Sequence, residues 1–174
     1  MLTCKVKRHI EVNENFQGFN LTEFQYSDTG DLPSNEIAEQ FIRSQYFKFD
    51  CLPEVVKNNS ENKNYLRQAF DINEISIDDF KKFDKSGTHK FLNDFLNDPD
   101  WADDKKDFAS LLDKYLLFLG QLPDADFFII SKEWFEKDDS KVLEPERWVY
   151  NYYFLVLYID KSSRTLSLTE WAYD

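Results

Sequence analysis

The chain predicts an α+β fold: an antiparallel sheet built from N-terminal strand(s) and a C-terminal β-hairpin, with about four helices packed on one face of it. Three observations carry this. Arg147–Asp174 reads as two strands around a polar turn. Alternating stretches lie at the two ends of the chain, with helical periodicity between them. Repeated strand–helix–strand units, which a doubly wound sheet needs, are absent. Gly (4) and Pro (5) are scarce, so no linker divides the 174 residues, and a single globular domain over 1–174 is expected.

From the N-terminus, Cys4–Val12 puts Val6, Ile10 and Val12 on one parity and Lys5, Lys7 and Glu11 on the other, as in a half-buried edge strand. Phe16–Tyr26 predicts a second strand, with Phe24 and Tyr26 on one side and Phe19 and Leu21 on the other. Asp28–Pro33 is turn chemistry. Ser34 reads as an N-cap, with Glu36 and Glu39 near the helix dipole, and Ile37, Ala38, Phe41 and Ile42 follow at helical spacing.

A second helix is expected from about Ser60, with Tyr65, Leu66, Ala69 and Phe70 on one face. Ile72, Ile75 and Ile77 fit either a short strand or an extended link. Ser76 or Asp78 then caps a short helical turn carrying Phe80 and Phe83, which Ser86-Gly87 breaks. A third helix is expected over Thr88–Asn97, ended by Pro99. A fourth, Asp103–Leu119, carries the apolar stripe Phe108, Leu111, Leu112, Tyr115, Leu116 and Leu119, with Gly120 as its C′ residue.

Asp126–Ser131 is short, continuous and apolar, which predicts a buried strand, and Glu136–Glu146 is a charged loop. Beyond it, Trp148, Tyr150, Tyr152, Phe154, Val156 and Tyr158 form one row, and Val149, Tyr153, Leu155, Leu157 and Ile159 the other. Both rows are apolar, so both faces of this strand need cover. The return strand, Thr165–Trp171, alternates Leu166 and Leu168 with Ser167 and Thr169, which predicts one solvated side.

A formal charge of −12 and a pI near 4.6 argue against nucleic-acid phosphate and anionic membranes as partners and favour a basic protein. Cys4 and Cys51 lack CxxC spacing and are expected as reduced thiols. The first residues hold no apolar h-region, and no run approaches the ~20 apolar residues of a membrane span, so a cytoplasmic protein is expected.

Catalytic signatures are missing. There is no GxGxxG, no GxxxxGK[ST] and no GxSxG, and His9 and His89 cannot form HExxH. Asp98–Asp104 resembles the start of a calcium loop, but Asp103 stands where Gly is required and Ala109 where Glu is required. No metal and no cofactor are expected. Glu133 beside Trp134 is the carboxylate whose pKa a buried aromatic neighbour would raise.

The arrangement of charge is the remaining signal. Residues 71–113 hold 12 acids against 6 bases, with Asp98, Asp100, Asp103, Asp104 and Asp107 as the densest part and Trp101 among them. A ring among carboxylates suits an anchor in a surface that binds a basic protein. A second such patch is Asp138, Asp139, Glu144 and Glu146, with Glu136, between Trp134 and Trp148.

With the aromatic-rich C-terminal hairpin and the missing catalytic motifs, this profile resembles the immunity proteins of bacterial polymorphic and contact-dependent toxin systems. The resemblance is to a class, with no shared motif. It implies a cytosolic inhibitor that binds a cognate toxin domain, often a basic nuclease, and occludes it. A carboxylate-dependent hydrolase and a non-catalytic scaffold or adaptor protein are the alternatives.

Overall fold

The computed structural model describes residues 1–47, 65–66, 69–71, 73–97, 104–136, 139–142 and 151–173. The chain runs β1 (Thr3–Glu14), β2 (Gln17–Ser27), α1 (Ser34–Ile42), β3 (Tyr65–Leu66), β4 (Phe70–Asp71), β5 (Lys81–Phe83), α2 (Lys85–Leu96), α3 (Lys105–Gln121), β6 (Asp126–Ser131), β7 (Tyr152–Asp160) and β8 (Thr165–Tyr173). One six-stranded sheet has the order β1-β2-β8-β7-β6-β5, with every neighbouring pair antiparallel. The C-terminal hairpin therefore sits at the centre of the sheet, and the charged N-terminal strand lies at its edge. The class is α+β, with three α-helices among the described residues.

The two rows of β7 explain the layering. Tyr153, Leu155, Leu157 and Ile159 meet Phe24, Tyr26, Leu166 and Leu168 of the sheet and Ile37, Ala38, Phe41 and Ile42 of α1. On the opposite face, Tyr152, Phe154, Val156 and Tyr158 meet Phe19, Leu21 and Trp171 and the stripe Phe108, Leu111, Leu112, Tyr115 and Leu119 of α3, with Leu92 of α2. All nine residues of β7 are buried. Each large apolar side chain so enclosed contributes roughly 1.5–3 kcal/mol of transfer free energy, so the central strand needs two layers of helices.

Helices consequently cover both faces of the sheet, correcting the expectation of one. The return strand changes with them. Ser167 and Thr169 are 2% and 0% exposed, because α3 lies over that side and the Tyr115 hydroxyl meets Thr169 Oγ1 at 3.1 Å.

Four further expectations are corrected. Tyr65–Leu66 pairs with Phe70–Asp71 as a short hairpin, so the helix expected from Ser60 does not extend over these residues; 60–64 lie outside the described residues. The break at Ser86-Gly87 does not occur. Asp84 caps α2 instead, its Oδ1 accepting from the Gly87 N–H at 2.6 Å, and Lys81–Phe83 before it is a strand held by β6. Pro33 takes the cap position expected of Ser34. Finally, α3 runs through Gly120 to Gln121, and Lys85 Nζ donates to the Leu122 carbonyl at 2.7 Å, answering one of the acceptors that a helix end leaves open.

Candidate functional site

The described part of the acidic stretch is the first turn of α3, and it meets the turn between β1 and β2. Only Asn15 and Phe16 separate those strands. Asn15 adopts φ 52°, a left-handed conformation that Asn tolerates better than most residues. Asn15 Nδ2 donates to Asp107 Oδ2 at 2.7 Å. Next to it, Gln17 is 2% exposed, donates from Nε2 to the Asp104 carbonyl at 2.9 Å and accepts from the Tyr152 hydroxyl at 3.1 Å.

The Asp104 carboxylate accepts from the Tyr173 hydroxyl at the end of β8, an arrangement that pushes the Tyr173 pKa up because losing the phenolic proton would set two anions together. Glu14, at the end of β1, accepts from Lys114 Nζ and from Ser110 Oγ at 2.9 Å, and these bonds hold its pKa below the usual carboxylate value. The tip of the hairpin is thus bonded to the first turns of α3 through Glu14, Asn15 and Gln17 and, beside them, Tyr173.

Against this fixed background Phe16 is 74% exposed. A phenylalanine contributes nothing to a two-residue turn that a small polar residue would not, and its ring covers no core. The site therefore combines an apolar ring with the carboxylates of Glu14, Asp104 and Asp107 on one rigid support.

Of the site residues expected from sequence, Asp104 and Asp107 fall in this group. Asp139 does not: its Oδ1 accepts from the Lys141 N–H at 2.9 Å, and Val142 beyond it bridges to Phe70 on the α1 face of the sheet. The chain just beyond Asp139 therefore packs on the face opposite α3. Asp98, Asp100, Trp101, Asp103, Asp138, Glu144 and Glu146 lie outside the described residues. Sequence reading missed Phe16, Glu14, Gln17 and Tyr173. Asn15 was the available signal, as an αL-tolerant residue between two alternating stretches.

Other candidates do not gather into a centre. Glu133 accepts from Ser131 Oγ, and burial by the chain around it raises its pKa, but more than a third of the residue remains in solvent, which limits the effect. Its neighbour Trp134 carries Lys81 Nζ 3.8 Å from its ring centroid, a cation–π contact on the sheet's far edge. Cys4 is half-buried and its thiol is pushed up to about 11 by burial, which keeps it protonated and inert. Among the described residues no three His, Cys, Asp or Glu side chains are placed to hold a metal ion, and no helix is long and apolar enough to cross a membrane.

The chain matches no protein-family model, no curated protein and no solved structure.

Proposed function

We propose that this chain is an acidic protein-binding inhibitor of the immunity type, which neutralises a cognate basic, nuclease-type bacterial toxin domain by direct binding. The observation that supports it best is the exposed Phe16 ring held beside Asp104, Asp107 and Glu14. A net charge of −12 steers a basic partner toward the chain, and the ring supplies apolar contact area once the two meet. The bonds that fix Asn15 and Gln17 to α3 lower the ordering entropy that binding would otherwise require. The carboxylates at the hairpin tip and the start of α3 take the place of the nucleic-acid phosphates that such a toxin domain binds.

The test is co-expression with any toxin-like domain found encoded beside its gene. A stable complex and rescue of cell growth are expected. Absence of both the complex and the rescue removes this reading.

A further inference from the structure

The free edge of β1 is the longest unpartnered surface of the sheet. Twelve residues, Thr3–Glu14, pair on one side with β2, and no described strand pairs with the other side. The strand is exposed for most of its length, with Val6 42% exposed. Its charges are segregated. Lys5, Lys7 and Arg8 occupy the first half, with Lys7 and Arg8 bonded to Glu23 of β2 at 3.3 and 3.0 Å so that Lys5 is the base left for a partner, whereas Glu11 and Glu14 occupy the second.

Segregation of this kind decides what can pair there. A parallel copy of the strand would set base against base and acid against acid. An antiparallel copy can set a base of one chain against an acid of the other, and a two-fold axis makes the contact twice. We propose that β1 is an interface for a second copy of this chain, joined antiparallel about Ile10 into one continuous sheet across two molecules.

Register follows from the side chains and from the bulge. The pairing of β1 with β2 shifts between Val6 and Arg8, which makes Lys7 the extra residue. Arg8, Ile10, Val12 and Glu14 point to the α3 face, and Lys5 points to that face too because the bulge resets the alternation. Pairing about Ile10 sets Ile10 against its own copy. Allowing for the bulge, it sets Lys5 opposite the partner's Glu14 on the same face. Glu14 uses Oε1 for both Lys114 and Ser110, which leaves Oε2 for the incoming ammonium.

Two features oppose the pairing. The net charge of −12 repels a second copy, but screening over about 8 Å at physiological ionic strength leaves only the local pairs in play. Edge lysines and a bulge are also devices that block indiscriminate strand addition. Here they disfavour registers in which base meets base, and pairing about Ile10 is one that sets base against acid.

Sedimentation velocity over a range of protein concentrations at about 0.15 M salt tests this. A monomer–dimer equilibrium in the micromolar range is expected. Lys5→Glu places acid opposite Glu14 at two symmetric positions and raises the dissociation constant roughly tenfold. Lys90→Glu makes the same change of net charge on α2, away from β1, and leaves it within about twofold. Amide hydrogen exchange of the unsubstituted chain gives a reading independent of variants: β1 amides gain protection as concentration rises. A monomer at every concentration overturns the proposal. So does a dimer that Lys5→Glu and Lys90→Glu weaken equally, or one that forms without added protection in β1.

Discussion

Trp171 of β8 stacks on Phe154 of β7, with ring centroids 5.5 Å apart and planes 14° from parallel. The two are direct cross-strand partners at the centre of the sheet. Phe19, Phe108 and Tyr115 close round the same indole at 5.0, 5.2 and 5.3 Å. Among the described residues its Nε1 has no hydrogen-bond partner. Trp171→Ala opens a cavity where β2, β7, β8 and α3 converge, and a loss of about 3–5 kcal/mol is expected in urea unfolding. Trp171→Phe keeps a ring in place and removes a buried donor that no described residue answers. Its loss should stay below about 2 kcal/mol, since the unpartnered N–H carries a penalty of its own.

The hydroxyls of Tyr115 and Thr169 form a buried pair at 3.1 Å between α3 and the sheet. The Tyr115 hydroxyl is the donor of this bond, and burial pushes its pKa far above its ordinary value, which keeps it protonated. Thr169→Val leaves that phenol without its acceptor and is expected to lose about 1–2 kcal/mol. Tyr115→Phe with Thr169→Val together should lose less than the two single effects added. A coupling of about 1 kcal/mol in a double-mutant cycle is the expected reading.

How far these contacts were legible follows from the kind of signal each element carries. Asp126–Ser131 and Tyr152–Asp160 announce themselves because continuous apolar runs of strand length must be buried on both sides. Lys81–Phe83 carries two lysines in three residues and no alternation, and its strand conformation comes from pairing with β6. Tyr65, Leu66 and Phe70 fit one face of a helix by spacing and fit a tight hairpin equally well. At the candidate site, the acids of the α3 start are plain in the sequence. Their partners Asn15 and Tyr173 are separated from them by 92 and 69 residues, and only the tertiary fold joins them. The exposure of Phe16 has no sequence signature, because an aromatic residue between two strands reads as part of one of them.

The β7–β8 turn depends on one carboxylate. Asp160 Oδ1 accepts from the Ser162 N–H at 2.8 Å and from Ser162 Oγ at 2.6 Å, and Oδ2 accepts from Ser163 Oγ at 2.6 Å. Burial works to raise its pKa, but the bonds from Ser162 and Ser163 prevail and hold it below the usual value. A folded pKa below the unfolded value, about 3.9, means that the unfolded chain binds the proton more readily. The stabilisation is therefore complete above the unfolded value and is lost as pH falls through the folded one. Asp160→Ala should lose about 1–2 kcal/mol at neutral pH. Chemical denaturation at a series of acidic pH values should show the gap narrowing below about pH 4.

Arg164 ends the same turn at φ 54°, in the left-handed region that a side chain with a Cβ enters only under strain. Its carbonyl accepts from the Tyr26 N–H and from Gln25 Nε2, each at 2.9 Å, so the strained backbone is fastened to β2. Both bonds end on the main-chain carbonyl of residue 164 and survive substitution of its side chain. Arg164→Gly removes the Cβ penalty of about 1–2 kcal/mol and restores part of it as backbone entropy in the unfolded chain. A net gain of about 0.5 kcal/mol is expected, read as a rise in melting temperature.

Phe16 separates binding from stability more cleanly than any other residue of the site. Its ring is 74% exposed and touches none of the bonds that tie the hairpin tip to α3. Phe16→Ser should change unfolding free energy by no more than about 0.5 kcal/mol. Asn15→Ala behaves in the opposite way. It loses the bond to Asp107 and forces alanine into φ 52°, for a loss of about 1–2 kcal/mol. If the tip is the anchor for a basic toxin domain, Phe16→Ser weakens that complex at least tenfold, through the dissociation rate, because the ring acts only after encounter. Charge reversal at Asp107 instead slows association and reduces its dependence on salt. Full affinity retained by Phe16→Ser in surface plasmon resonance would place the contact elsewhere on the chain.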